Sequence, residues 1–143
     1  MGRKGLPAAV TAHRLSDRPI HLGLGAAASV EPEFSGMEWY ADYEARHASD
    51  GAEGRLVSQH RFTEDWDMWE MHPVGAEVVI CTSGAMTLIQ EVDGEEVCTA
   101  LSSGEYAINQ PGTWHTADVG GEAEAVFITA GKGTEHRPRL RAQ

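Results

Sequence analysis

Two periodicities divide the chain. Met37, Tyr40, Tyr43 and His47 recur at helical spacing and give one packing stripe. Ser35 and Glu38 form an S-x-x-E capping box, Phe34 and Trp39 are placed as its hydrophobic staple, and Ser49-Asp50-Gly51 ends the pattern, so a helix is predicted over 35–49. From Arg55 the alternation changes to period two, and short strands are predicted over 56–62, 65–72, 77–82, 86–92, 96–101, 106–109, 113–119 and 125–129. Asp93-Gly94 between two of them is a hairpin signal. Residues 19–24 read as an edge strand. Turn signals every ~8–12 residues suggest an antiparallel sandwich or barrel. The expected class is all-β with a short N-terminal helix.

Length adds that 143 residues make one domain able to bury its own core. No apolar run is long enough for a membrane helix, and the first residues lack the apolar stretch of a secretory signal. Two cysteines, Cys81 and Cys98, imply no disulfide framework, and a cytoplasmic location is the expectation.

Charge sharpens the division. The net charge is −11, yet residues 1–18 and 132–143 are each basic, while 19–131 hold three basic residues against 20 acidic ones. No Lys or Arg lies between Phe62 and Gly131. A basic arm over 1–18, a domain over 19–131 with its barrel core at 55–131, and a basic tail over 132–143 follow. Such a body repels phosphate backbones and anionic membranes, so neither nucleic acid nor membrane is an expected partner. A pocket built from 62–131 has no cation of its own and suits a small, mostly uncharged ligand.

On a strand, Trp66, Met68, Glu70 and His72 share a face. A turn at Pro73-Val74-Gly75-Ala76 leads to Glu77, and a second turn at Pro111-Gly112 leads to His115. If these strands are neighbours, Glu70, His72, Glu77 and His115 converge, and imidazole with carboxylate is the ligand set of a first-row divalent metal. Trp66 and Met68 are weaker candidates for pocket walls, His60 for an inward-reaching side chain and Asn109 for a group that orients a ligand. Cys81 reads as buried packing, His47 and the helix tyrosines as packing groups, and Trp69 and Trp114 as facing away. Glu135-His136-Arg137-Pro138 reads as a polar turn in a tail that either docks on the acidic body or acts as a lid.

Glu70-Met71-His72, then Glu77 after four residues and Gly84 after six more, resembles the first cupin motif, G-x5-H-x-H-x(3–4)-E-x6-G. The stretch from Gly104 through Pro111-Gly112 to His115 resembles the second, G-x(5–7)-P-x-G-x-x-H-x3-N. The resemblance covers about residues 55–131 and implies a cupin-type antiparallel jelly-roll β-barrel with a metal inside. Carried over position by position, His72, Glu77 and His115 match family ligands. The opening Gly falls on Glu64, the first motif His is Glu70, and Val119 stands at the terminal Asn position.

Three readings of Glu70 stay open: a fourth ligand to Fe, Mn, Zn or Ni; a catalytic acid or base beside a two-His-one-carboxylate site; or part of a degenerate, metal-free pocket. Fold alone does not choose a function. The resemblance admits a metal-dependent, dioxygenase-like enzyme acting on a small organic molecule, a non-enzymatic ligand-binding cupin, and, less well for so small a chain, a storage protein. Fold analogy also implies a homodimer.

Overall fold

The structure is a computed structural model that describes residues 11–140. Most of the basic arm expected over 1–18, and the last three residues of the tail, lie outside them.

The described residues form ten strands and one α-helix, with short 3-10 turns at Leu24–Ala26 and Ala48–Glu53: β1 (Ile20–Leu22), β2 (Ala28–Val30), α1 (Met37–Arg46), β3 (Arg55–Phe62), β4 (Met68–Met71), β5 (Glu77–Val92), β6 (Glu95–Ser102), β7 (Tyr106–Asn109), β8 (His115–Asp118), β9 (Ala123–Thr129) and β10 (Glu135–Pro138). Every strand pairing is antiparallel. The order runs β10-β4-β8-β5-β9-β3-β1-β2, with β6 and β7 also on β5.

The long β5 makes the corner that turns this ribbon into two facing layers. Its first half pairs with β7 and β9, its second with β6 and β8. The sequence reads as two strands here because the inward parity changes: Glu77, Val79 and Cys81 are buried, then Met86 and Leu88. A register shift between Cys81 and Ser83 supplies the extra residue. Gly84 follows at φ +72°, where a Cβ would stand 2.0 Å from the Glu122 carbonyl oxygen, so no other residue fits. Asp93 (φ 53°) and Gly94 (φ 81°) close the predicted β5–β6 hairpin with the left-handed pair that matches strand twist.

Val79, Cys81, Met86, Leu88, Leu101, Ala117, Val119, Ala123, Ala125 and Phe127 fill the space between the layers. Their burial is the main favourable term in folding. A smaller cluster joins Trp39 and Tyr43 of α1 to Leu56 of β3, with Phe34 and Tyr40 against it. Leu56, Ser58 and His60 lie on the inner face of β3, and α1 packs on that face through Trp39 and Tyr43 against Leu56 and Tyr40 against His60.

Besides β5, three elements differ from the sequence reading. The helix starts at Met37, because Gly36 at φ 117° is its N-cap and no side chain caps it; Phe34 still packs on Trp39, with ring centroids 5.6 Å apart. β2 is a strand that the Gly- and Ala-rich composition concealed. Residues 135–138 are strand β10, paired with β4, rather than a turn. No helix among the described residues is long and apolar enough to cross a membrane.

Candidate metal centre

His72 lies just past β4, Glu77 opens β5 and His115 opens β8. The Gly112 N–H donates to the His72 carbonyl at 2.9 Å, tying the two motif turns together. All three side chains are buried, His115 completely, and one ligating atom from each falls within 4.8 Å of the others. His72 Nε2 lies 3.1 Å from Glu77 Oε2, and His115 Nε2 lies 3.1 Å from Glu77 Oε1. Both Nε2 atoms are buried, yet neither makes a hydrogen bond.

The opposite ring nitrogens explain this. His115 Nδ1 lies 3.1 Å from the Thr113 carbonyl, which can only accept, so Nδ1 carries the proton. The Thr134 hydroxyl donates to the Gly131 carbonyl at 2.8 Å, which leaves it to accept from His72 Nδ1, also at 2.8 Å. In the neutral rings both Nε2 lone pairs therefore face a carboxylate. Without a positive charge between them that arrangement is repulsive, and buried polar atoms ordinarily find partners. The residues present fit a divalent cation, since separations near 3.1 Å match the edge of a coordination shell with bonds of ~2.1 Å.

Glu77 is held from behind. The Asn109 amide donates to its Oε1 at 3.1 Å and the Thr129 hydroxyl to its Oε2 at 2.6 Å. Gln90 donates to Asn109 Oδ1 at 2.7 Å and extends the chain by one more group. Burial opposes ionisation of Glu77, but its contacts with His115 and His72 outweigh it and hold the carboxyl well below the usual range. Burial likewise opposes protonation of His115, and Glu77 outweighs it and pushes the imidazole up.

Glu70 is not part of this group. It pairs in register with His115 on one side and His136 on the other, and its Oε2 lies 3.2 Å from His136 Nε2 at the partly exposed edge. Trp66 stands beside the triad, its ring 6.5 Å from that of His115, with a buried Nε1–H that has no partner. His60 reaches inward: its Nε2 is 3.3 Å from the Tyr40 hydroxyl, and burial pushes its pKa down. Met68 is half-buried on β4, opposite Pro138. Cys81 lies in the core, and burial pushes its thiol up. Trp69 and Trp114 hold the Arg137 guanidinium between their rings, at 5.0 and 4.6 Å.

Thr134, His136 and Tyr40 were not recognisable as site neighbours in the sequence. The first two sit in a tail without alternation, and Tyr40 belongs to a stripe that packing explains.

A second group, His21, His47 and Asp50, also brings ligating atoms within 4.8 Å. Its hydrogen bonds are made: His21 to Tyr43 and Asp50 at 2.6 Å each, and His47 to Glu31 at 2.8 Å. The two imidazoles stack at 3.6 Å, and a Cβ on Gly54 would meet the His21 ring at 3.0 Å. This is a packed network that fastens β1 to α1.

No protein-family model matches the chain, and no curated protein matches it. Among solved structures, one of oxalate oxidase superposes with a TM-score of 0.53 at 16% identity, over 64% of this chain and 50% of that one. Peruvianin-I, described as a cysteine peptidase from Thevetia peruviana latex, gives 0.51 at 17% identity, over 60% and 57%. The fold is a cupin-type jelly roll. The chain spans about half the length of these two structures, and the likeness is one of fold. A cupin-2 domain protein from Shewanella frigidimarina matches at 18% identity with a TM-score of 0.43, over 59% and 71%.

Proposed function

We propose that this cupin-fold protein binds one divalent first-row metal ion through His72, Glu77 and His115, and that it carries out oxygenase-like chemistry on a small, mostly uncharged organic molecule. The observation that supports the reading is the pair of buried, unpartnered Nε2 atoms turned on one carboxylate. Two imidazoles and one carboxylate suit Fe, Mn, Zn or Ni and leave coordination positions free. When bound, such an ion would supply Lewis acidity and, for a redox-active metal, electron exchange with oxygen.

The chain's own residues would do the rest. The Trp66 indole N–H is a free donor for a ligand oxygen. Phe62 and Phe127, packed around Trp66, keep water away from that donor. Glu70, backed by His136, would hold or move a proton at the exposed edge, outside the ligand set. A neutral ligand is favoured because Arg46, Arg61, Arg137 and Arg139 are each engaged by a carboxylate, Glu31, Glu122, Glu91 and Asp118 in turn. A second reading, a metal-holding binding module without turnover, is favoured by the near-complete burial of the triad.

Elemental analysis of chelator-free protein should find about one equivalent of metal, absent from His115→Ala. Unchanged metal in that variant would sink the assignment. Glu70→Gln should keep the metal. Oxygen uptake by the wild type with phenols, diketones or aldehydes, lost in Glu70→Gln, would support the enzyme; no uptake with any of them would favour the binding module.

A further inference from the structure

We propose that Thr134 is a positioning residue for the metal centre, and that it couples metal binding to docking of the C-terminal segment 131–140. The inference rests on the metal reading above. Thr134 is 62 residues from His72 in sequence and lies outside both motifs, yet among the described residues its hydroxyl is the partner of His72 Nδ1.

That hydroxyl has one proton, given to the Gly131 carbonyl. Its lone pair is what remains for His72, so Thr134 selects the tautomer with hydrogen on Nδ1 and a lone pair on Nε2. Without this acceptor, a neutral His72 satisfies itself best by placing the proton on Nε2 and donating it to Glu77, 3.1 Å away. That tautomer closes the position a cation needs. Partners of this kind, which orient a metal-binding histidine from behind, typically change affinity 10–100-fold.

Thr134 is held in place by the whole segment. Its N–H bonds the Gly131 carbonyl at 3.1 Å to close a tight turn. Gly133, at φ +76°, packs so near the turn after His72 that a Cβ would lie 3.2 Å from Pro73 Cγ. Across the same seam a Cβ on Gly75 would meet Ala130 Cβ at 2.7 Å. Beyond the turn, β10 pairs with β4, Arg137 lies between Trp69 and Trp114 and pairs with Glu91, and Arg139 bonds Asp118 at 2.7 Å and the carbonyls of Trp66 and Ala117. The basic tail is thus docked by its own charges, and its first turn carries the hydroxyl that sets His72. Coupling of this sort is reciprocal, so metal must tighten the tail as much as the docked tail tightens metal.

The test uses full-length protein with Zn(II) as the probe. Affinities are measured by chelator competition for wild type, Thr134→Val, Thr134→Ser and His115→Ala, with circular dichroism on each. Tryptic cleavage after the exposed Lys132 is timed with and without Zn(II). The expectation is a 10–100-fold weaker affinity in Thr134→Val, rescue in Thr134→Ser, and slower cleavage of wild type when Zn(II) is bound. Wild-type affinity in a folded Thr134→Val, alongside loss in His115→Ala, would overturn this inference and leave the metal reading standing. Should Thr134→Val not fold, the cleavage rate decides, and a rate that Zn(II) leaves unchanged overturns the coupling. Failure of wild type to bind Zn(II), or binding that His115→Ala leaves unchanged, would overturn both.

Discussion

At the scale of single residues, the site depends on which atoms are already committed. His72 and His115 each fix one ring nitrogen to the protein and turn the other toward Glu77, while Glu77 takes donors from Asn109 and Thr129. Asn109 was a candidate for orienting a ligand; its amide donates to Glu77 Oε1. Asn109→Ala should lower metal affinity about 10-fold or more with the barrel still folded, measured by the same competition. Wild-type affinity would show that Thr129 alone suffices. The resemblance to the two cupin motifs made His72, Glu77 and His115 legible in sequence, with Glu70 beside them; tight turns set where Glu77 and His115 begin their strands, and His72 lies just past the end of β4. Thr134 was not legible, since an isolated threonine carries no signal until the tail has folded back.

At the scale of elements, the N-terminal layer is fastened by charge as well as by aromatic packing. Glu31, buried before α1, accepts from Arg46 at 3.0 Å and meets His47 at 2.8 Å. Burial raises its pKa, but the contacts with His47 and then Arg46 outweigh burial and hold it below 4.5. A carboxylate depressed in the folded state contributes stability that is present above its unfolded pKa and lost as pH falls through the folded one. Glu31→Gln should therefore destabilise the protein by about 1–2 kcal/mol at pH 7, the worth of its charged hydrogen bonds to partly exposed partners, and flatten the fall in stability below pH ~4.5. Denaturant titrations at pH 7 and pH 3 check this, and an equal loss at both would contradict it. Among the elements, β5 read as two strands because a bulge and a left-handed glycine reverse its parity midway. β10 read as a turn because a strand held by Arg137 stacking and ion pairs needs no apolar alternation.

For the whole molecule, the cation proposed at His72, Glu77 and His115 would be a ligand for the native state alone, because those residues come together only when the barrel closes. At a free metal concentration 100 times its dissociation constant it adds ~2.7 kcal/mol. In a domain of this size that corresponds to a rise of about 5–10 °C in Tm. Differential scanning calorimetry should show this shift on loading and its loss with chelator, and no shift in His115→Ala. An equal shift in the variant would place the stabilising metal elsewhere.

What the sequence determined by itself was local or periodic. Alternation and turn residues specified an antiparallel β fold, and Asp93-Gly94 its hairpin; these need only neighbours within a few residues, so one sequence suffices to read them. The meeting of His72 and His115 at Glu77 was implied by the resemblance to the two motifs and depended on closure of the barrel. The tertiary structure alone decided the rest. It left Glu70 beside the triad, facing His136, and gave Arg137 to Trp69 and Trp114. It also brought a C-terminal hydroxyl behind His72. Those pairings join positions 60 or more residues apart in several cases, and only closure of the two layers selects them. Polar side chains that pair across such distances leave no period in the sequence.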